Sequence, residues 1–469
     1  MQRSKKVFNE FMALNLIEKD HLPFSVFPSK YKHYRMRVGF GLYDSRNKEA
    51  YRHTLCDPLD DETKLNYNNG GFIKKEKELK TSSGQQTHGI KENDDDDILC
   101  HVIWHAGKMF RVNHFPIASE KICEKMPLVI EYVRNDPVLR KGVRGAKYLC
   151  SSNGQVVLTL IYKSRKLLNE EEERKKENQG QQQWPQRAEA MLKVVGLFGI
   201  IGRSKNVCVV IGSSFVVEDG VHLADGRALT YKHIEGSFSN PNLSMAICTL
   251  NWMSMAAKDL SSRIKRRPLV LLELYCGSGN HTVAMAGTFF DFVLGVEIDK
   301  KLVEYGSQNL ALNKVDRAKI IKADSKKFCR KVLKRRQRQF KEGPNELKGF
   351  MRNNSLASTV TVEGKEEEER TISSVTKNLL SHYYNEEDFS KLDFSAVLVD
   401  PPRAGLDEFT RKNVATYPAI LYISCNPEAL KRDMKELVKT HRTVHFAFLD
   451  HFPYTKHVEC AVYLIQKEL

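Results

Sequence analysis

A cysteine and a carboxylate near the C-terminus have the types and settings that covalent catalysis requires. Cys425 lies in Tyr422-Ile423-Ser424-Cys425-Asn426-Pro427, on a tight turn directly after the apolar run Ala419-Ile420-Leu421-Tyr422-Ile423. A side chain there stands at the lip of a parallel sheet, where ligands of open α/β folds bind. Glu459 lies in the stretch from Phe452 to Cys460, where it begins a new β-like run. A thiol and a carboxylate facing one pocket suit nucleophilic attack followed by proton removal. An isolated cysteine is commonly a small apolar filler, so it is the position after a strand that gives Cys425 its meaning. His451 and His457 are the rival bases by sequence distance, with structural roles expected for both.

Two further segments supply candidate ligands. Glu273-Leu274-Tyr275-Cys276-Gly277-Ser278-Gly279-Asn280 forms a strand, a glycine loop and the start of a helix. Glycines let the backbone approach a ligand, and the next helix contributes its first amides. Glu297, at the end of the next strand, is placed to accept from ribose hydroxyls, and Asp324 ends the strand after it. The loop lacks the third glycine of a dinucleotide fingerprint and any Gly-Lys-Ser/Thr phosphate loop. S-adenosylmethionine, which has no pyrophosphate, fits better than NAD or ATP. Asp400-Pro401-Pro402-Arg403-Ala404-Gly405 ends another strand, and its prolines stiffen a carboxylate against a substrate edge. A flipped-out uracil offers an N3–H donor to such a group. Thiolate attack at uracil C6 makes C5 nucleophilic enough to take a methyl group from a sulfonium. A base must then remove the C5 proton so that the thiol can leave.

The elements that position these residues follow from hydrophobic periodicity. After Pro268, apolar runs at Leu269–Tyr275, Phe292–Val296, Ile320–Ala323, Ala396–Val399 and Ala419–Ile423 alternate with helix-like stretches. Runs at Thr443–Leu449 and Val458–Ile465 follow, and the alternation predicts a doubly wound parallel sheet. The N-terminal half predicts short strands at Val38–Tyr43, Val156–Tyr162 and Val207–Ile211, and an amphipathic helix over Ala118–Val133. Polar, charge-blocked stretches near 57–97, 169–187 and 334–391 are expected as insertions, because they cannot offset their ordering entropy by burial. The expected division is 1–236 and 237–469.

The 469 residues exceed one ordinary core, and 74 Lys plus Arg against 58 Asp plus Glu leave a net charge of +16. Such an excess favours a polyanionic partner through counterion release. The ten cysteines form no Cys-x-x-Cys pair, so no metal is expected, and a reducing compartment is. No apolar stretch suits a membrane span, and the cytoplasm is the expected location, with an organelle left open.

The motifs in order resemble the tRNA (uracil-5-)-methyltransferase family, whose members make ribothymidine in the T-loop. The resemblance rests on Lys32–Arg37, Phe115–Glu120, Arg134–Arg140, Ile201–Arg203, Ser237–Asn242, the glycine loop, Asp400–Arg403 and both C-terminal motifs. It implies a Rossmann-like S-adenosylmethionine-dependent methyltransferase domain of α/β class, with a smaller β-rich RNA-binding domain before it. It makes Cys425 the nucleophile and Glu459 the general base. By the same resemblance Asn240, Tyr275, Asn280, Glu297 and Asp400 contact the cofactor. Phe115 packs near the flipped uridine, while Arg35 and Arg37 meet backbone phosphate. Asn240 stands where the family usually has glutamine, one methylene longer. The implied partner is the tRNA T-arm and the expected state a monomer.

RNA cytosine-C5 methyltransferases carry Pro-Cys where this chain has Pro402-Arg403, which favours uracil. Ribosomal-RNA uracil methyltransferases share the catalytic core, and many add an iron–sulfur cluster or a separate barrel that this sequence does not show. An idle RNA-binding or RNA-folding protein is the alternative outside enzymes, and the pairing of Cys425 with Glu459 argues against it.

Overall fold

The computed structural model describes residues 2–17, 24–46, 55–56, 66–68, 72–74, 97–105, 107–163, 183–265, 268–342 and 388–469. The polar stretches near 57–97, 169–187 and 334–391 fall mostly outside the described residues.

The C-terminal sheet has the strand order Phe24–Phe27, His441–Leu449, Glu459–Gln466, Ala419–Ser424, Ala396–Val399, Val270–Leu274, Phe292–Glu297, Ala318–Lys322. Neighbours are parallel except around Glu459–Gln466, which runs antiparallel to both strands beside it. The order steps outward in both directions from Val270–Leu274, so the crevice between that strand and Ala396–Val399 is the topological switch point. Leu271, Val293, Leu398 and Leu421 enter one core, and Val270, Leu272, Phe292, Val397 and Ile420 enter another. Burial on both faces is why these strands read as unbroken apolar runs rather than as an alternation. Leu272 is fully buried, and trimming it to alanine costs about 2–5 kcal/mol.

Helix Leu243–Arg263 covers the first core with Trp252, Met253 and Leu260. Helices Ser325–Glu342, Glu408–Val414 and Pro427–Leu437 cover the second. Ser325–Glu342 runs into the stretch expected as a loop from residue 334. Phe328, Cys329 and Val332 give it a buried stripe, and its lysines, arginines and glutamines are good helix formers.

A second sheet has the order Val207–Gly212, Gly199–Ser204, Val156–Tyr162, Val143–Cys150, Arg37–Asp44, Leu99–His105, Lys108–Val112, Leu55–Cys56. Helix Glu120–Asn135 packs on it through Ile122, Met126, Val129 and Val133, and Ser119 caps it.

Two early segments bury their apolar surface across the boundary expected near residue 236. Phe11, Leu16 and Ile17, in and just beyond helix Gln2–Ala13, share a core with Leu272, while Phe24 pairs with Phe446. The hairpin Phe215–His222 with Ala228–Ile234 sends Val221, Leu229 and Tyr231 into the core of Leu271. No helix among the described residues is long and apolar enough to cross a membrane.

Candidate active site

The C-terminal strand ends bring the chemistry together. Ser424 pairs with Cys460 across the antiparallel ladder, so Cys425 and Glu459 lie opposite each other one residue beyond it. The turn holding Cys425 is fixed at both ends. Ser424 Oγ accepts from Asn426 N at 3.2 Å, and the Asn426 side chain accepts from Glu428 N at 3.2 Å to cap helix Pro427–Leu437. Pro427 suits the first helical position because its missing N–H has no helical partner there.

Asp400 leaves the neighbouring strand beside this turn, and its loop is anchored on the same helix. Fully buried Asp433 accepts from Leu406 N (2.8 Å), Tyr422 Oη (2.7 Å) and Arg411 (2.8 Å). The Asn426 side chain donates to Arg403 O at 2.8 Å. Gly405 has φ +74°, and a Cβ there would lie 2.7 Å from Asp433 and Arg432, so the loop closes onto the helix only without a side chain.

Across the switch point, Tyr275 has φ +63°, a left-handed conformation uncommon for a non-glycine residue and frequent at functional sites. Gly277 N donates to Glu297 Oε2 at 3.0 Å, and Glu297 Oε1 accepts from Ile298 and Asp299 N at 2.8 and 2.9 Å. The Glu297 carboxylate is thus locked to the glycine loop as well as to its own strand end. A Cβ on Gly277 would meet nothing within 4 Å, which leaves open space over the loop. Asn280 opens helix Asn280–Met285, and its carbonyl accepts from Tyr231 Oη at 2.9 Å.

Carboxylates crowd this crevice. Burial and then Asp400 push Glu459 up to about 8, against the opposing influence of His281. Burial raises Asp400 to about 6, with His281 opposing and Glu273 adding. Burial acts against a charged His281, yet Glu273, Asp400 and Glu459 together hold its ring above the ordinary value. Glu273 is buried, with Oε2 accepting from Thr282 at 2.5 Å and Oε1 3.4 Å from His281 Nδ1. Burial, then Glu459 and Asp400, raise Cys425, while Arg403 pulls it down. The resting side chain is therefore the thiol, and positive charge placed among these acids would favour the thiolate.

The remaining predicted residues make contacts within the protein. Asn240, expected at the cofactor, turns its amide onto His451, with Nδ2 2.8 Å from the ring Nδ1. Arg37, expected at phosphate, points inward and donates to the carbonyls of Ser237 (2.5 Å) and Ser239 (3.0 Å). Arg35 donates to Arg37 O at 3.0 Å. Phe115 is buried and meets Phe40 edge to face at 5.1 Å, inside the second sheet's core. These residues join the motifs to one another. Arg35 N donates to Ile117 O at 2.9 Å and Met36 N to Pro241 O at 2.7 Å, which ties Phe115–Glu120 and Ser237–Asn242 into one surface. Glu273 and His281 were not singled out by sequence. The signal for Glu273 was a lone charge inside an apolar strand, whereas His281 had none. Among the described residues no group of three or more His, Cys, Asp or Glu is arranged to hold a metal ion.

An open, Rossmann-like α/β sheet with a thiol and carboxylates gathered at its switch point defines the class of protein. The chain belongs to the tRNA (uracil-5-)-methyltransferase family, whose sequence profile matches residues 89–364 and 367–467. A tRNA/tmRNA (uracil-C(5))-methyltransferase of Aeromonas hydrophila subsp. hydrophila is 34% identical over 379 residues, covering 80% of this chain and 83% of its own length. The enzyme of the same name from Klebsiella pneumoniae is 33% identical over 379 residues, covering 80% and 85%. The fold is similar to that of the Pyrococcus abyssi tRNA (uracil-54, C5)-methyltransferase, solved with S-adenosyl-L-homocysteine. That similarity has a TM-score of 0.53 and 17% identity, over 99% of this chain and 83% of that one.

Proposed function

We propose that this protein methylates C5 of a uridine in RNA, using S-adenosylmethionine, and that its target is the T-loop uridine of tRNA. The observation that carries the reading is the register that sets Cys425 and Glu459 each one residue beyond the Ser424–Cys460 pair, beside Asp400 at the switch point. The relatives' names support tRNA as substrate.

The residues present fit the cofactor. Glu297 Oε2 accepts from Gly277 N alone and so keeps a lone pair for a ribose hydroxyl, the space beside Gly277 is open, and the acids Asp400, Glu459 and Glu273 suit a cation. Tyr275, Asn280, Glu297 and Asp400 would hold it. When bound, S-adenosylmethionine supplies a methyl carbon made electrophilic by its sulfonium. Cys425 gives up its proton to water, and the thiolate Sγ bonds to uracil C6 as the C5=C6 electron pair moves toward C5 and O4. Once C5 carries the methyl group, Glu459 takes the C5 proton. The released pair re-forms C5=C6 and expels the Cys425 thiolate.

The direct test uses T-arm RNA with 5-fluorouridine at the target. Fluorine on C5 cannot be removed as a proton, so the adduct persists, and peptide mapping should place it on Cys425. No adduct, or one on another residue, overturns the mechanism. Nucleoside mass spectrometry of tRNA and ribosomal RNA from cells lacking the protein separates the substrates, with loss of 5-methyluridine from tRNA expected.

The acid cluster predicts how stability depends on pH. Glu459 and Asp400 have raised values, so the folded state holds protons that the unfolded state releases. Stability of the ligand-free protein therefore falls as pH rises from about 5 to 8, and His281, also raised, adds in the same sense. Tm should drop by several degrees across that window, each kcal/mol being worth about 2–4 °C in a unit of this size. S-adenosylmethionine should restore more of the loss than S-adenosylhomocysteine, which lacks the positive sulfur. Equal stabilisation by both at pH 8 would contradict the role assigned to the acids.

We propose that residues 1–236 contribute RNA binding and that phosphate contacts also come from the exposed face of helix Ser325–Glu342. Lys327, Arg330, Lys331 and Lys334 are all exposed, at a spacing that sets them on one side of that helix. Replacing all four by glutamine should reduce the slope of log affinity against log salt by about 3, at roughly 0.7–0.9 per lost phosphate contact. The rate of methylation within bound complexes should not change. An unaltered slope would remove this face from the RNA footprint.

A further inference from the structure

His451 is one of two histidines beside the proposed base in sequence, and its hydrogen bonds fix which form it takes. The ring is buried (1% exposed), between helix Leu243–Arg263 and the segment carrying Asn240. Thr249 Oγ1 donates to Met245 O at 2.9 Å, so its lone pairs alone face the ring Nε2, 3.2 Å away. On the other side both amide atoms of Asn240 approach the ring Nδ1, Nδ2 at 2.8 Å and Oδ1 at 3.1 Å. Oδ1 is already engaged by Asn242 N at 3.0 Å, and because only an acceptor faces Nε2 it is Nδ2 that donates to Nδ1. Nδ1 is therefore the acceptor, and the proton sits on Nε2. That N–H end lies 3.4 Å from Glu459 Oε2.

We propose that His451, held in this tautomer by Asn240 and Thr249, is a positioning residue that orients the Glu459 carboxylate and favours its charged form for removal of the C5 proton. The inference rests on the reading of Glu459 as the base. The ring is unsuited to be the base itself. Its one lone pair is occupied by Asn240, and burial, together with charged His281, holds its value down at about 3. Asn240 then acts two steps from the chemistry, through His451, rather than on the cofactor. The shorter asparagine keeps its amide in place by the bond to Asn242 N. His451 also shares its main-chain oxygen with Asn242 Nδ2 at 3.2 Å, so the same asparagine pair fixes both ring and backbone.

The groups facing Glu459 are Asp400, His281, Cys425, Cys460 and His451 itself, and the test isolates the last. His451→Gln keeps an N–H donor of similar reach, whereas His451→Asn keeps the amide but falls short of Glu459. Full-length variants are given S-adenosylmethionine and ordinary T-arm RNA, and the methylated covalent adduct is followed against pH. His451→Asn should accumulate adduct, eliminate about tenfold more slowly below pH 8, and move the elimination profile up by about one pH unit. His451→Gln should stay near the parent protein. Equal behaviour of the two variants, or no adduct in His451→Asn with an unmoved profile, overturns the proposal. Adduct formation on 5-fluorouridine RNA by both variants reports that they are folded. Its absence in the parent protein would instead refute the underlying reading of Cys425 and Glu459.

Discussion

Cys425→Ser should lose methylation by at least ~10³-fold and form no adduct with 5-fluorouridine RNA, while RNA binding is retained. The replacement keeps the size of the side chain and the capped turn made by Ser424 and Asn426, so the fold has no reason to change. What changes is the nucleophile. A serine hydroxyl is far harder to ionise than a thiol, and burial with Glu459 and Asp400 already opposes negative charge at this position. Rapid-quench measurement of methyl transfer, alongside a filter-binding titration, separates the two effects. Substantial turnover by the serine variant would remove Cys425 from the mechanism.

Glu459→Gln should fail at a different step. Attack and methylation do not need the base, so they proceed, and the chain becomes joined to product RNA through Cys425. A methylated RNA–protein complex should therefore build up with ordinary uridine substrate as turnover falls by ~10²–10⁴-fold. The parent protein should show turnover that rises with pH toward about 8, since the base works only when ionised. Denaturing gels with labelled methyl donor detect the complex. Normal turnover without it would pass the role to another group, and His457 would be next to test, its ring lying 2.5 Å from Arg403.

The sheet was legible because burial on two faces writes long apolar runs into the sequence. Val156–Tyr162 and Ala396–Val399 coincide with their predicted bounds, and Cys425, Asp400 and Glu297 stand at strand ends as expected. The directions of polar side chains were not legible. Arg35 and Arg37 resemble phosphate ligands in a basic chain, and only the fold shows the carbonyls of Ser237 and Ser239 within reach of Arg37. Asn240 belongs to a motif associated with the cofactor, and only the fold shows His451 within its reach. Likewise nothing local marks Phe24–Phe27 as an edge strand of the C-terminal sheet. Its partner His441–Leu449 lies at the other end of the chain, and pairing of that range leaves no periodic trace.

That edge strand bears on the order in which the molecule is made. Helix Gln2–Ala13 and strand Phe24–Phe27 have their partners in Phe446 and its neighbours, which emerge from the ribosome long after them. During synthesis they must wait, with Phe8, Phe11 and Phe24 without the aromatic cluster that later encloses them. The second sheet draws its described strands from residues up to 212, so it can form while the chain is still growing. The sheet bearing Cys425 must wait for residues up to Gln466. Its edge is sealed only once His441–Leu449 has been made and Phe24–Phe27 docks beside it, and an edge left open until then is one that other chains can pair with.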